Sequence, residues 1–140
     1  MFFVGEYRVT FSGQGRIIIP KKIREALGSG KTFTLTKGFD SCLSGFRNAD
    51  WEKAANELIS QSSLEMQKSE TKRHLFSSAA IVEIDNQGRF VIPKNLLDYA
   101  GLSNKAAIIG VGDHFEVWEP KKWDDYLKSI HPKGVQARKM

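Results

Sequence analysis

Two arginines carry the chemistry that this sequence offers most plainly. Arg16 stands in FSGQGRIIIP, Phe11 to Pro20, and Arg89 in IDNQGRFVIP, Ile84 to Pro93. A guanidinium is a planar fork of donors that stays charged, matched to a carboxylate, a phosphate or the edge of a guanine. Four residues before Arg89 lies Asp85, which across a tight turn can hold that guanidinium by a two-point hydrogen bond. The same place before Arg16 is Ser12, whose hydroxyl can cap the turn but cannot neutralise the arginine. Asp85–Arg89 therefore reads as a structural brace, and Arg16 as a group free to point outward.

Little else in the chain is suited to reaction. Cys42 is the single cysteine, so it can form no internal bridge, and its setting in DSCLSGF reads as a strand with a buried, inert thiol. His74, His114 and His131 are scattered without metal-ligand spacing. Asp124 and Asp125 are neighbours on a predicted helix and point apart. The GQG and GVG glycines fall in hairpin turns, outside the strand-to-helix setting of a nucleotide loop. No catalytic residue, metal, cofactor or small-molecule substrate is expected.

Charge points to a different class of partner. The chain has 140 residues, a formal net charge of +5 and a pI near 9.4. The excess is uneven. Residues 1–31 hold six basic residues against two acidic ones, whereas residues 78–112 hold three of each. If one copy of the phrase meets a polyanion, it is the first. No run of eighteen apolar residues occurs, and MFFVGEYRV lacks the basic flank of a signal peptide, so a cytoplasmic location is expected.

The elements that must position the two arginines are themselves written twice. Setting Arg16 over Arg89 also aligns Gln14 with Gln87, Gly15 with Gly88, Ile19 with Ile92, Pro20 with Pro93, Lys21 with Lys94 and Gly28 with Gly101. One residue of slippage then aligns Phe46 with Trp118 and Trp51 with Trp123. VTF and VEI alternate as half-buried strands, SGQG and DNQG are turns, and RIIIP and RFVIP are strands stopped by proline. Short helices follow, ending at Gly28 and Gly101, then a strand hairpin, then a helix near each tryptophan, with Asp50 as a plausible cap for the first. Roughly 45 residues cannot bury a core of their own, so two such halves are expected to share one about a pseudo-two-fold axis. The predicted units are a first repeat over 5–52, a helical insert over 53–77, a second repeat over 78–125 and a disordered basic tail over 131–140.

The doubled phrase, with a glycine–arginine turn, an IP-ended strand and a helix, resembles the DNA-binding element of AbrB-like swapped-hairpin barrels. Two tandem copies, a start in MFFVGEY and a helical insert make the chain similar to the MraZ family over about residues 1–130. The resemblance implies a mainly β fold with short helices (α+β), a pseudo-two-fold swapped-hairpin β-barrel of the AbrB type built from two repeats. It further implies a bacterial, nucleoid-associated repressor that binds short direct repeats upstream of a division and cell-wall gene cluster, and a ring of subunits. The family's Asp-x-x-x-Arg is whole at Asp85–Arg89 and broken at Ser12–Arg16, and Leu97 stands where the partner of Arg24 should be an arginine.

A two-stranded ribbon fits the major groove of double-stranded DNA, and the Ser12–Arg16 turn with its flanking strands is expected to form it. In this reading Arg16 addresses a guanine edge, Arg8, Lys21, Lys22 and Arg24 hold phosphates, and Gln14 contacts a base edge or serves the turn. Ser12, Gly15, Asp85, Gly88 and Arg89 shape or brace the turns. The alternative is an AbrB-like antitoxin or protein-interaction module, against which the two copies and basic C-terminal stretch argue.

Overall fold

Alternation and glycine placement set the strands and turns of each copy. The computed structural model describes residues 1–62 and 64–139, with residues 131–139 given by their backbone alone. The first copy runs through β1 (Glu6–Thr10), β2 (Arg16–Ile18), α1 (Lys21–Leu27), β3 (Thr32–Lys37), β4 (Leu43–Phe46) and α2 (Asn48–Ile59). An added helix, α3 (Met66–Ser78), leads to the second copy. That copy comprises β5 (Ala80–Glu83), β6 (Arg89–Val91), α4 (Lys94–Ala100), β7 (Lys105–Gly110), β8 (Phe115–Trp118) and α5 (Pro120–Lys139).

The helix ends follow from local chemistry. Pro20 and Pro93 precede α1 and α4 with φ of −56° and extended ψ, and their carbonyls accept the first helical hydrogen bonds from Arg24 and Leu97. Gly101 closes α4 in the left-handed region. Asp50 does not cap α2 as expected. The helix begins at Asn48, three residues before the start such a cap would set, and Asp50 lies in its first turn, 2.7 Å from Arg47 Nη1. A carboxylate there also favours the positive end of the helix.

The two copies exchange their first strands. β1 pairs with β7 of the other copy, and β5 pairs with β3, giving a six-stranded antiparallel sheet in the order β1-β7-β8-β4-β3-β5. Tyr7 faces Ile108, and their repeat counterparts Ala80 and Leu35 face each other in the same way. The strands flanking the Ser12–Arg16 turn do not form the expected ribbon, because β1 joins β7; β2 instead pairs with β6 of the other copy in a separate two-stranded ribbon. Ile17 opposite Phe90, and Ser44 opposite Glu116, each pair a position with its own counterpart, so the pseudo-two-fold axis passes through both places. The expected closed barrel is not formed: the strand pairings leave the six-stranded sheet open and the ribbon unjoined to it.

One core lies between sheet and ribbon and draws on both copies. Ile17, Phe33, Leu35, Phe90, Ile92 and Phe115 are all buried in it. Phe33 meets Phe90 edge-on at 5.1 Å and Phe115 at 5.5 Å. The aligned aromatics repeat one contact, Phe46 with Trp51 at 5.7 Å and Trp118 with Trp123 at 5.2 Å. The insert region is stitched to β3 by Ser78, whose hydroxyl meets Thr36 Oγ1 at 2.9 Å and accepts from the Lys37 amide at 3.0 Å. α5 carries the backbone of the expected disordered tail onward as helix to Lys139; the side chains of 131–139, and Met140, lie outside the described residues. No helix among the described residues is long and apolar enough to cross a membrane.

Two expectations follow. Gly15 and Gly88 both hold positive φ, 74° and 78°, but a Cβ on Gly15 would sit 2.9 Å from the Ile92 carbonyl oxygen, whereas one on Gly88 would meet only the movable end of Arg24. Gly15→Ala should cost about 2 kcal/mol or more in chemical denaturation and Gly88→Ala about 1 kcal/mol; equal losses would mean that backbone conformation alone sets the cost. Cys42 is fully buried, donates to the Phe39 carbonyl at 2.9 Å, and has its thiol pushed far up by burial and by the charges of Glu116 and Asp40. The native protein should therefore resist iodoacetamide at pH 8 and be labelled only after denaturation, read by mass spectrometry.

Candidate nucleic-acid interface

Three residues in each strand are enough to sort the ribbon into two faces. Ile17 and Phe90 turn inward and are buried. The flanking positions must then turn outward, which puts Arg16, Ile18, Arg89 and Val91 on one face. Arg16 is opposite Val91 and Ile18 is opposite Arg89. The two arginines, assigned different places from the sequence, thus share one surface. They also line one groove, together with Ile84, Asp85, Val91 and Pro93.

The turns before them share a backbone plan and differ in side-chain chemistry. The Ser12 amide donates to the Arg16 carbonyl and the Asp85 amide to the Arg89 carbonyl, each at 2.9 Å. Asp85 adds a second set of bonds: Oδ1 accepts from the amides of Gln87 and Arg89 at 2.9 Å, and Oδ2 accepts from Arg89 Nε at 3.0 Å. These bonds, the Arg89 amide foremost, hold the Asp85 carboxyl below its ordinary range. The brace expected from the sequence is therefore mostly a clasp on the backbone. It grips the guanidinium at one nitrogen, Nε, and not at two. Ser12 offers only a 3.4 Å hydroxyl bond to the Arg16 carbonyl. Among the described residues Arg16 has no ion pair.

Exchange between copies also relocates the helix residues. The guanidinium of Arg24, from the first copy, lies over Gly88 in the turn of the second. Its counterpart Leu97 lies over Gly15 in the turn of the first. The positive charge carried by α1 is therefore delivered beside the second turn. Gln14, Lys21 and Lys22 are exposed on the first copy. Lys94, the counterpart of Lys21, is tied to Asp98 at 2.9 Å.

Arg8 is placed otherwise than expected. It lies on β1, where Nη2 bonds Glu6 at 3.0 Å and Asp124 at 2.9 Å. Trp123 Nε1 donates to the second oxygen of Glu6 at 2.8 Å. The indole first and Arg8 second keep Glu6 below its ordinary range, and Arg8 does the same for Asp124. Two carboxylates thus neutralise the residue expected to hold a phosphate, and it ties β1 to α5 instead. Sequence reasoning missed the Asp124 partner because it lies 116 residues from Arg8. It also passed over Ile18 and Val91, which the alternation in RII and RFV marks as outward.

This arrangement presents guanidinium forks on a narrow, two-stranded surface with exposed lysines nearby, a pattern suited to a phosphate-rich duplex. Among the described residues no group of three or more His, Cys, Asp or Glu could hold a metal ion. The family model described as "MraZ protein, putative antitoxin-like" matches residues 2–74 and again residues 75–138. A protein of Roseiflexus castenholzii named "Transcriptional regulator MraZ" is 42% identical over 131 residues, covering 91% of this chain and 88% of its own length. Proteins of the same name from Acetivibrio thermocellus and Clostridium botulinum are 43% identical over 124 residues and 37% over 138, covering 89% and 99% of this chain and 85% and 96% of their own. Two matched repeats, and relatives alike along nearly the whole length, make this chain a member of the MraZ family.

Proposed function

We propose that the chain is a sequence-specific DNA-binding transcriptional regulator that sets its β2–β6 ribbon into the major groove. The observation that carries this reading is the outer face of the ribbon, where Arg16 and Arg89 stand together and only Arg89 is partly engaged by a carboxylate. The relatives' printed name, transcriptional regulator, agrees with it. Arg16 addresses a guanine edge with its fork, the commonest specific contact in the groove. Arg89 is the second, weaker reader, because Asp85 holds one of its donors and lowers its net charge. Lys21, Lys22 and Arg24 bind phosphates and fix register, and Gln14 lies at the rim of the turn. Arg8, neutralised on β1, is left out of the surface.

A ribbon with three residues in each strand is a small reading head. We infer that the operator is a set of short direct repeats and that several copies of the chain, arranged as a ring, bind it together. Linked contacts gain by effective concentration what one contact lacks. A repressor acting on the division and cell-wall gene cluster from the cytoplasm is the biological form of this reading, as the family resemblance implies.

The test is fluorescence anisotropy on a duplex of three G-rich direct repeats and on its scrambled counterpart, over a salt series. The full-length protein should prefer the repeats. Arg16→Ala should erase about 1–3 kcal/mol of that preference, of order tenfold to a hundredfold, and Arg89→Ala should erase less. Replacing Lys21 and Lys22 by alanine should weaken both duplexes alike and flatten the salt slope by about 1 for each phosphate no longer neutralised. Equal binding of both duplexes by the unaltered protein would sink the proposal, and a search for a protein partner would replace it.

A further inference from the structure

The ribbon's outer face carries two aliphatic side chains that the arginines do not account for. Ile18 is 50% exposed and Val91 48%. Single exposed aliphatics are ordinary on a protein surface, and this chain has others, Leu64 and Ile59 among them. Ile18 and Val91 differ in their regularity. They occupy the same position of the two copies, and each stands directly across from an arginine, Ile18 from Arg89 and Val91 from Arg16. The neighbouring chemistry has diverged between copies, serine against aspartate before the arginine and arginine against leucine on the helix. The outward aliphatic has not.

We infer that Ile18 and Val91 read the 5-methyl groups of thymines adjacent to the guanines addressed by Arg89 and Arg16. This rests on the DNA-binding reading above and gives it a second specificity element. The basic residues around the ribbon fit a polyanion, and the floor of the major groove offers one apolar group in unmodified DNA, the thymine methyl. Directly opposed residues of a two-stranded pair have Cβ atoms about 5 Å apart, between one and two of the roughly 3.4 Å steps that separate successive base pairs. An arginine and the aliphatic residue across from it therefore address neighbouring base pairs. The long fork reaches a guanine edge, and the short branched side chain covers the methyl beside it. Polar side chains at 18 and 91 would form equally good strands yet leave that methyl in water.

The experiment works from the DNA side, where folding is not at issue. The full-length protein is used to enrich binders from a random duplex library. Each thymine of the enriched motif is then replaced singly by deoxyuridine, which lacks only the methyl, and affinities are measured by anisotropy. At a thymine next to an essential guanine the unaltered protein should lose about fourfold in affinity, the worth of one buried methyl-sized group. Ile18→Ser or Val91→Ser should bind more weakly and lose nothing further on that replacement, while Leu64→Ala should behave as the unaltered protein does. Circular dichroism checks that the serine variants are folded. An enriched motif without such a thymine, or full affinity for every deoxyuridine duplex, would overturn the inference while leaving DNA binding intact. So would equal methyl sensitivity in folded serine variants. Failure to enrich any motif would instead remove the DNA-binding reading itself.

Discussion

Everything in this molecule depends on the contact at the pseudo-two-fold axis, where Ile17 lies against Phe90 and neither copy can provide both. The turns on either side lock that register. Gly15 gives its carbonyl to the Ile92 amide at 2.7 Å, and its counterpart Gly88 gives its own to the Ile19 amide at 2.8 Å. Each turn is thus fastened to the end of the other copy's strand. Beneath the ribbon Phe90 meets Phe33, and Phe33 meets Phe115, so a residue of the second copy packs on one of the first, which packs on the second again. A half-chain alone would expose all of these surfaces. The exchange of β1 and β5 makes the core a property of the pair.

The same backbone plan then tolerates unequal chemistry above it. Burial fixes Ile17, Ile19, Phe90 and Ile92, and positive φ with close approach fixes Gly15 and Gly88. The outward positions are released from both constraints. Asp85 can close its turn with three hydrogen bonds while Ser12 leaves the matching turn to the backbone, because the shared amide-to-carbonyl bonds already define both loops. Arg24 and Leu97 differ for the same reason: each covers a turn glycine, and either a guanidinium stem or an isobutyl group can do that. Symmetry below and asymmetry above are compatible because the layers meet different demands.

Much of the fold was legible from the sequence because its signals are local. Alternation in RII and RFV, turn glycines and the IP strand ends place strands, turns and helices within a residue or two, and the internal alignment pairs the aromatics that do make matching contacts. What local pattern cannot contain is which copy supplies the partner. Nothing near Arg24 says that its guanidinium will lie over Gly88, and nothing near Arg8 says that Asp124 will join Glu6 in neutralising it. The charge difference between the copies was real along the chain, yet the exchange moves part of it across. Closure into a barrel likewise depends on edges, and β1 and β5 remain edges of the six-stranded sheet.

The location of the ribbon explains how so few residues can present a fixed surface, as the proposed reading head requires. A hairpin standing alone would be marginal in water, and its two arginines would move independently. Here each outward side chain is next in sequence to a buried one: Arg16 and Ile18 flank Ile17, and Arg89 and Val91 flank Phe90. Tilting the backbone under one arginine would require lifting an inward neighbour out of a packed core. The entropy of ordering the ribbon's backbone is thus spent in folding, and the side chains alone remain to be ordered when a partner is met. Rigidity below and exposed charge above are consequences of one alternation. The site is positioned by the same packing that holds the halves together.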